Sequence, residues 1–215
     1  MNKTIFIIAS IVLMMLSACS TIYYEGLEKI GIPKRDVMVH RVEKARDTQE
    51  ETKEQFKSAL QQFKAATNFS GGDLEAVYTK LNDEYEASVS KAEEVRSRIE
   101  DIEDVSQALF TEWEQEITQY SNANFKRSSQ NKLNVTKQHY RQLIASMKNA
   151  EARIAPILTV FRDQVMFLKH NLNAQAITSL KGELGNIESD VSALIASMEN
   201  SIDEANAFIN TMGKN

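Results

Sequence analysis

From Ile177 to Phe208 an apolar residue recurs at every third or fourth position: Ile177, Leu180, Leu184, Ile187, Val191, Leu194, Met198, Ile202, Ala205 and Phe208. Alternating steps of three and four trace one narrow seam along a helix of 3.6 residues per turn. A seam that narrow must lie against another helix. Three earlier stretches repeat the demand. One carries Val42, Ala45, Gln49, Phe56, Leu60 and Phe63. The next runs through Leu74, Val77, Leu81, Tyr85, Val89, Ala92, Val95, Ile99, Ile102, Val105, Leu109, Trp113, Ile117 and Tyr120. The third holds Leu133, Tyr140, Ile144, Met147, Ile154, Leu158, Phe161, Val165 and Leu168. Breakers are scarce, with 2 prolines and 7 glycines in 215 residues, so the elements are long.

The breaks that exist divide the stripes. Pro33 suits a helix start, where its missing N–H is not needed. Ser70-Gly71-Gly72-Asp73 ends the first helix and offers Asp73 as a cap for the second. Ser121–Asn124 and Asn171–Asn173 are the other two turns. Pro156 falls inside the third stripe and predicts a kink there. No stretch shows strand alternation. The expected fold class is all-α, with long antiparallel helices in an elongated up-down bundle or coiled coil.

The first residues read as targeting rather than fold. Lys3 supplies a positive start, and Ile5–Leu16 is an apolar run of 12 residues, too short to span a bilayer. Leu16-Ser17-Ala18-Cys19 resembles the lipobox of bacterial lipoproteins. That resemblance implies thioether lipidation of Cys19 and removal of residues 1–18. Ser20 in place of aspartate resembles the pattern sorted to the outer membrane, on its periplasmic face. Residues 19–33 then form a tether and 34–215 the helical coiled-coil domain. On the tether, Tyr23, Leu27 and Ile30 share a face with Tyr24 beside them. These residues can sit among lipid headgroups or pack on the bundle. Lys29, Lys34 and Arg35 could meet anionic lipid.

Charge is unevenly placed. Asp73–Glu116 holds fourteen acids and four bases, whereas Ile117–Ala150 holds six bases and no acid. Those bases are Lys126, Arg127, Lys132, Lys137, Arg141 and Lys148. They are candidate contacts for a polyanion such as phospholipid or another envelope polymer. The preferred reading is internal: folding helix two against helix three brings Arg141 near Asp104 and Lys132 near Glu116. The overall charge of −5 gives no reason to expect nucleic acid.

Catalytic patterns are missing. Gly26–Gly31 has the glycine spacing of a phosphate loop, but Ile32-Pro33 follows where lysine and a hydroxyl are required. His40, His139 and His170 are scattered without metal-ligand spacing. Lipidation consumes Cys19, the sole cysteine. Glu112, Glu114 and Glu116 read as a solvated face, and Phe110, Trp113 and Ile117 as core. Gly182 and Gly185 interrupt the fourth stripe, either for close helix approach or as a weak spot. Lys169–Ala176 is the least generic stretch, with amides that cap helix ends or form a recognition corner.

Several segments carry a family resemblance: Lys34-Arg35-Asp36, Gln55–Leu60, Gly71–Glu75, Leu109–Trp113 and Lys169–Ala174. With these the whole mature chain resembles a proteobacterial family known only as domain of unknown function 2959. The resemblance implies a helical lipoprotein and brings no activity with it. The expected role is therefore a membrane-anchored scaffold or adaptor with no enzymatic activity and no cofactor. It would meet the membrane through lipidated Cys19, and a protein partner or further copies of itself. The alternatives are a lipid or envelope-polymer binding module, and an accessory subunit of an envelope ATPase.

Overall fold

The structure is a computed structural model describing residues 23–24, 26–69 and 71–213. Residues 1–22, which include the expected signal segment and Cys19, lie outside the described residues, as does Ser70. Five long helices account for most of the chain: α1 (Lys34–Thr67), α2 (Leu74–Gln119), α3 (Ala123–Ala152), α4 (Ile154–His170) and α5 (Ala174–Gly213). No strand occurs among the described residues, and the fold is all-α.

The helix ends follow local chemistry. Pro33 holds an extended N-cap (φ −72°, ψ 150°), and its carbonyl accepts from the N–H of Asp36 at 2.9 Å. After α1 the chain turns through Gly71 (φ 142°) and Gly72 (φ 129°), a backbone region that side chains disfavour. The Asp73 carboxylate caps α2 by accepting from the N–H of Glu75 at 2.9 Å. At 46 residues, α2 is about 70 Å long. Asn122 caps α3, its side-chain oxygen accepting from the N–H groups of Asn124 (2.9 Å) and Phe125 (3.2 Å). Asn173 does the same for α5, toward Gln175 (2.9 Å) and Ala176 (3.3 Å), so this amide of the Lys169–Ala176 corner caps a helix.

The third stripe is two helices rather than one kinked helix. Helix α3 ends at Ala152, one residue of turn follows at Arg153, and α4 begins at Ile154. Pro156 explains the break: it has no N–H to offer the carbonyl of Ala152, and its ring crowds that carbonyl. In the first turn of α4 the missing donor leaves no bond unmade.

Helix α1 packs against α2 and α5, while α3 and α4 in succession fill the opposite side, each touching α2 and α5. The cross-section is therefore that of an up-down four-helix bundle. Phe161 of α4 reaches across the core to stack on Phe63 (4.5 Å between centroids) and Phe56 (6.1 Å) of α1. Leu81, Ile102, Leu133, Met147, Val191 and Leu194 continue the core along the bundle. Most seam positions are buried, but Leu60, Tyr140, Leu158, Leu184 and Ile202 are only half-buried, as are Leu74, Val77, Tyr85, Val89 and Ala92 in the first half of α2, and Ala59 and Ser201 occupy the interior beside Leu60 and Ile202. Gln49 is 1% exposed, and neither atom of its amide has a hydrogen-bond partner among the described residues. Such an unpartnered polar residue costs stability.

Gly182 and Gly185 do not serve close approach. A β-carbon built at either would meet nothing within 4 Å, and both sit on the exposed side of α5. Their effect is to lower helix propensity, so Gly182→Ala and Gly185→Ala are each expected to stabilise the fold by about 0.5–1 kcal/mol. Thermal unfolding followed by circular dichroism checks this, and a lower melting temperature for either variant would show hidden crowding.

Candidate functional site

The residues ahead of α1 fold back on the bundle instead of leading straight away from it. Tyr23, Tyr24 and Gly26–Lys29 are helical, and the chain then turns through Ile30 and Gly31 (φ 88°) into Pro33. The N–H of Gly31 donates to the carbonyl of Glu28 at 2.9 Å, and that of Ile32 to the carbonyl of Leu27 at 3.0 Å. Gly31, at the end of the loop-like Gly26–Gly31, thus builds a reversal, while Gly26 is helical.

The reversal lays Tyr24 between α1 and α2, where it is wholly buried. Its hydroxyl donates to the Asp104 carboxylate, and the Arg41 guanidinium lies 5.4 Å over its ring. Burial, followed by the hydrogen bond to Asp104, pushes the Tyr24 hydroxyl far above the usual tyrosine range. It stays neutral and keeps donating. Arg41 also reaches Asp104 at 3.4 Å and the carbonyl of Asp101. Leu27 packs on the core, while Tyr23 and Ile30 are exposed. The tether face is therefore split between bundle and solvent.

A second clamp holds the turn. Lys34 is 7% exposed, and its ammonium contacts Glu28 at 2.6 Å and Glu112 at 2.9 Å. Burial works against its charge, but the hydrogen bonds it donates to the two carboxylates, with their attraction, outweigh burial and push its pKa up. Glu112 moves up as well. Burial raises it more than Lys34 lowers it, and Glu28 and Glu116 add repulsion. The two shifts look opposed, yet one ammonium serving two carboxylates beside a third produces both. Lys34, with a raised folded pKa, contributes stability below the ordinary lysine range, and loses it as pH rises through the raised value. Glu112 adds stability only as pH falls below its own raised value.

At the same end, α1 starts opposite Glu112, and Thr211 and Met212 of α5 lie beside Asn131–Thr136 of α3. Beyond that level only the α2–α3 hairpin continues. Thr118–Lys132 is exposed throughout except for half-buried Ser129, which accepts from the Trp113 indole N–H at 2.8 Å. At the hairpin's base lies an open cavity of about 600 Å³ lined by Leu109, Trp113, Val135 and Met212, with Glu116 and Lys132 on its rim. Phe110 and Ile117 are core, as their spacing predicts.

The structure sorts the six bases of the acid-free stretch into two sets. Lys137 pairs with Glu114 at 2.5 Å and Lys148 with Glu103 at 2.6 Å. Burden-sharing between α2 and α3 therefore exists, but with other partners than the sequence suggests. Arg141 does not meet Asp104, which faces α1 and binds Arg41 and Tyr24. Lys132 shares the cavity rim with Glu116 but forms no ion pair with it. The helices sit several residues out of the expected register, because core packing sets it and exposed pairs are worth under ~1 kcal/mol each. Lys126, Arg127, Lys132 and Arg141 are exposed and make no ion pair among the described residues.

The histidines stay apart. His40 lies 3.9 Å from Glu43, His139 is half-buried on α3, and His170 ends α4. Among the described residues no group of His, Cys, Asp and Glu is placed to hold a metal ion, and no helix is long and apolar enough to cross a membrane. At the end opposite the hairpin, Met166, Phe167 and Leu172 are exposed.

The Lys34 clamp predicts a measurable cost. Lys34→Met should destabilise the protein at pH 7 by about 1–3 kcal/mol, the lower side of a buried pair because both carboxylates remain part-exposed. Adding Glu112→Gln should restore part of that loss by removing a repelling charge. Urea unfolding of the single and double variants measures both, and an unchanged midpoint for Lys34→Met would mean that the segment is not docked.

No curated protein matches the chain, and no solved structure does. Residues 23–212 match the family described as protein of unknown function (DUF2959), from the residue before the clamped Tyr24 to the last turn of α5. The protein is a member of the DUF2959 family.

Proposed function

We propose that this protein is a membrane-tethered helical strut: a non-enzymatic scaffold or adaptor lipoprotein, acylated at Cys19 and held at the periplasmic face of the outer membrane. The observation that carries the reading is the distribution of exposed apolar residues on a rod about 70 Å long. Tyr120 and Phe125 lie at one end and Met166, Phe167 and Leu172 toward the other. A rod with apolar ends suits bridging two surfaces better than enclosing a substrate. The clamped N-terminal segment supports the tether, since it fixes where the chain leaves the bundle.

Labelling with radioactive palmitate tests the anchor. The wild-type protein is expected to take up label and lose residues 1–18, and Cys19→Ala to do neither. A mature N-terminus at Met1 without fatty acid would overturn it. A photo-reactive residue at Phe167 tests the scaffold role in intact cells. A discrete cross-linked product is expected, and protein that stays uncross-linked would contradict it.

A second reading, a module binding phospholipid or an envelope polymer, gains from one observation: four exposed bases without ion pairs on an acid-free stretch.

A further inference from the structure

The path of the chain limits how such a rod can stand. Tyr23 leaves the bundle on its flank, next to a tyrosine bonded to Asp104. Cys19 lies four residues before Tyr23, a reach of at most about 14 Å. Helix α2 continues 15 residues past Asp104, about 22 Å, and the α2–α3 hairpin carries on beyond it. While the two clamps hold, a lipid at Cys19 cannot bring the rod upright on either end. It has to lie along the membrane or slant, and the end that then meets the surface is the nearer one.

We propose that the tip of the α2–α3 hairpin is a second membrane contact, seating Tyr120 and Phe125 among the headgroups of an anionic phospholipid surface. The inference rests on the lipid-anchored reading above. Phe125 is 63% exposed and Tyr120 45%. Both sit on a rigid turn, because the Asn122 cap accepts from the N–H of Phe125 itself. Lys126 and Arg127 follow directly and have no ion pair among the described residues. No acid occurs from Ile117 to Ala150, so the nearest is Glu116, at the cavity rim below the tip. Aromatic side chains beside unpaired cations suit the boundary between headgroups and acyl chains.

Size argues against a protein occupant. Two aromatic residues on a two-helix tip offer far less than the ~800 Å² per partner of a stable protein interface. A small apolar and cationic contact is what a second membrane signal requires, because an acyl chain already supplies most of the attachment. The two contacts together would hold the rod aslant and fix the height of the Met166–Leu172 end above the membrane.

The test uses the full-length acylated protein in vesicles of phosphatidylglycerol and phosphatidylcholine. Cys19 is acylated, so Ser121→Cys gives a single thiol for an environment-sensitive fluorophore. Asn68→Cys at the opposite end is the control. A blue shift at position 121, absent at 68 and lost in phosphatidylcholine alone, is expected. Removing Lys126 or Arg127 should weaken the contact about fivefold each. Phe125→Ser with Lys126→Glu and Arg127→Glu should abolish the shift with the helical content unchanged. Vesicle flotation reports the anchor separately. Protein that floats without a shift at 121 overturns the tip contact alone. Protein that fails to float overturns the lipid-anchored reading and this inference with it. A shift in native envelopes but not in protein-free vesicles of the same lipids assigns the tip to a protein partner and overturns the proposal.

Discussion

A helix whose apolar face is a single narrow stripe cannot cover that face with its own side chains. Everything in this protein depends on that constraint. Each stripe has to meet others along its whole length, so the helices pair side by side and the core becomes a long column. Phe56, Phe63 and Phe161 fill it from opposite sides near the end away from the hairpin, and Val191, Ile102 and Leu133 extend it toward the hairpin. Burial of large apolar side chains, about 1.5–3 kcal/mol each, dominates the stability. Exposed ion pairs decorate the column without holding it.

That balance explains what could be read from the residues alone. Periodicity reports what a helix must do locally, so the helices, the Gly71-Gly72 turn and the caps at Asp73 and Asn173 were legible. Register was not, because charges contribute too little to choose it. Lys137–Glu114 and Lys148–Glu103 form where the core leaves them, and Arg141 and Lys132 go unpaired. Pro156 was visible as a disturbance, but only the packing shows one residue of turn at Arg153 rather than a bend. The reversal ahead of α1 was hidden for a different reason. Tyr24 and Lys34 acquire meaning only from Asp104 and Glu112, some eighty residues away. The one local signal was the Gly31-Ile32-Pro33 sequence, which permits a tight change of direction.

In the proposed reading the reversal matters most for function. A chain that left α1 directly would place an anchor at the tip of a rod. The Tyr24 and Lys34 clamps move the exit to the flank and leave the α2–α3 hairpin projecting. In the proposed reading the same two contacts set orientation: they decide which end approaches the membrane and which stays free for a partner. The apolar cavity beneath the hairpin, with Trp113 held by Ser129, lies between these features and belongs to the same end.

The central claim is an extended four-helix column rather than a rounded domain, and solution scattering tests it most directly. For residues 23–215 in solution, such a column with its projecting hairpin, about 70 Å long in all, gives a radius of gyration of about 22 Å. A compact domain of equal length gives about 16 Å. A value near the first supports the account, and one near the second contradicts it.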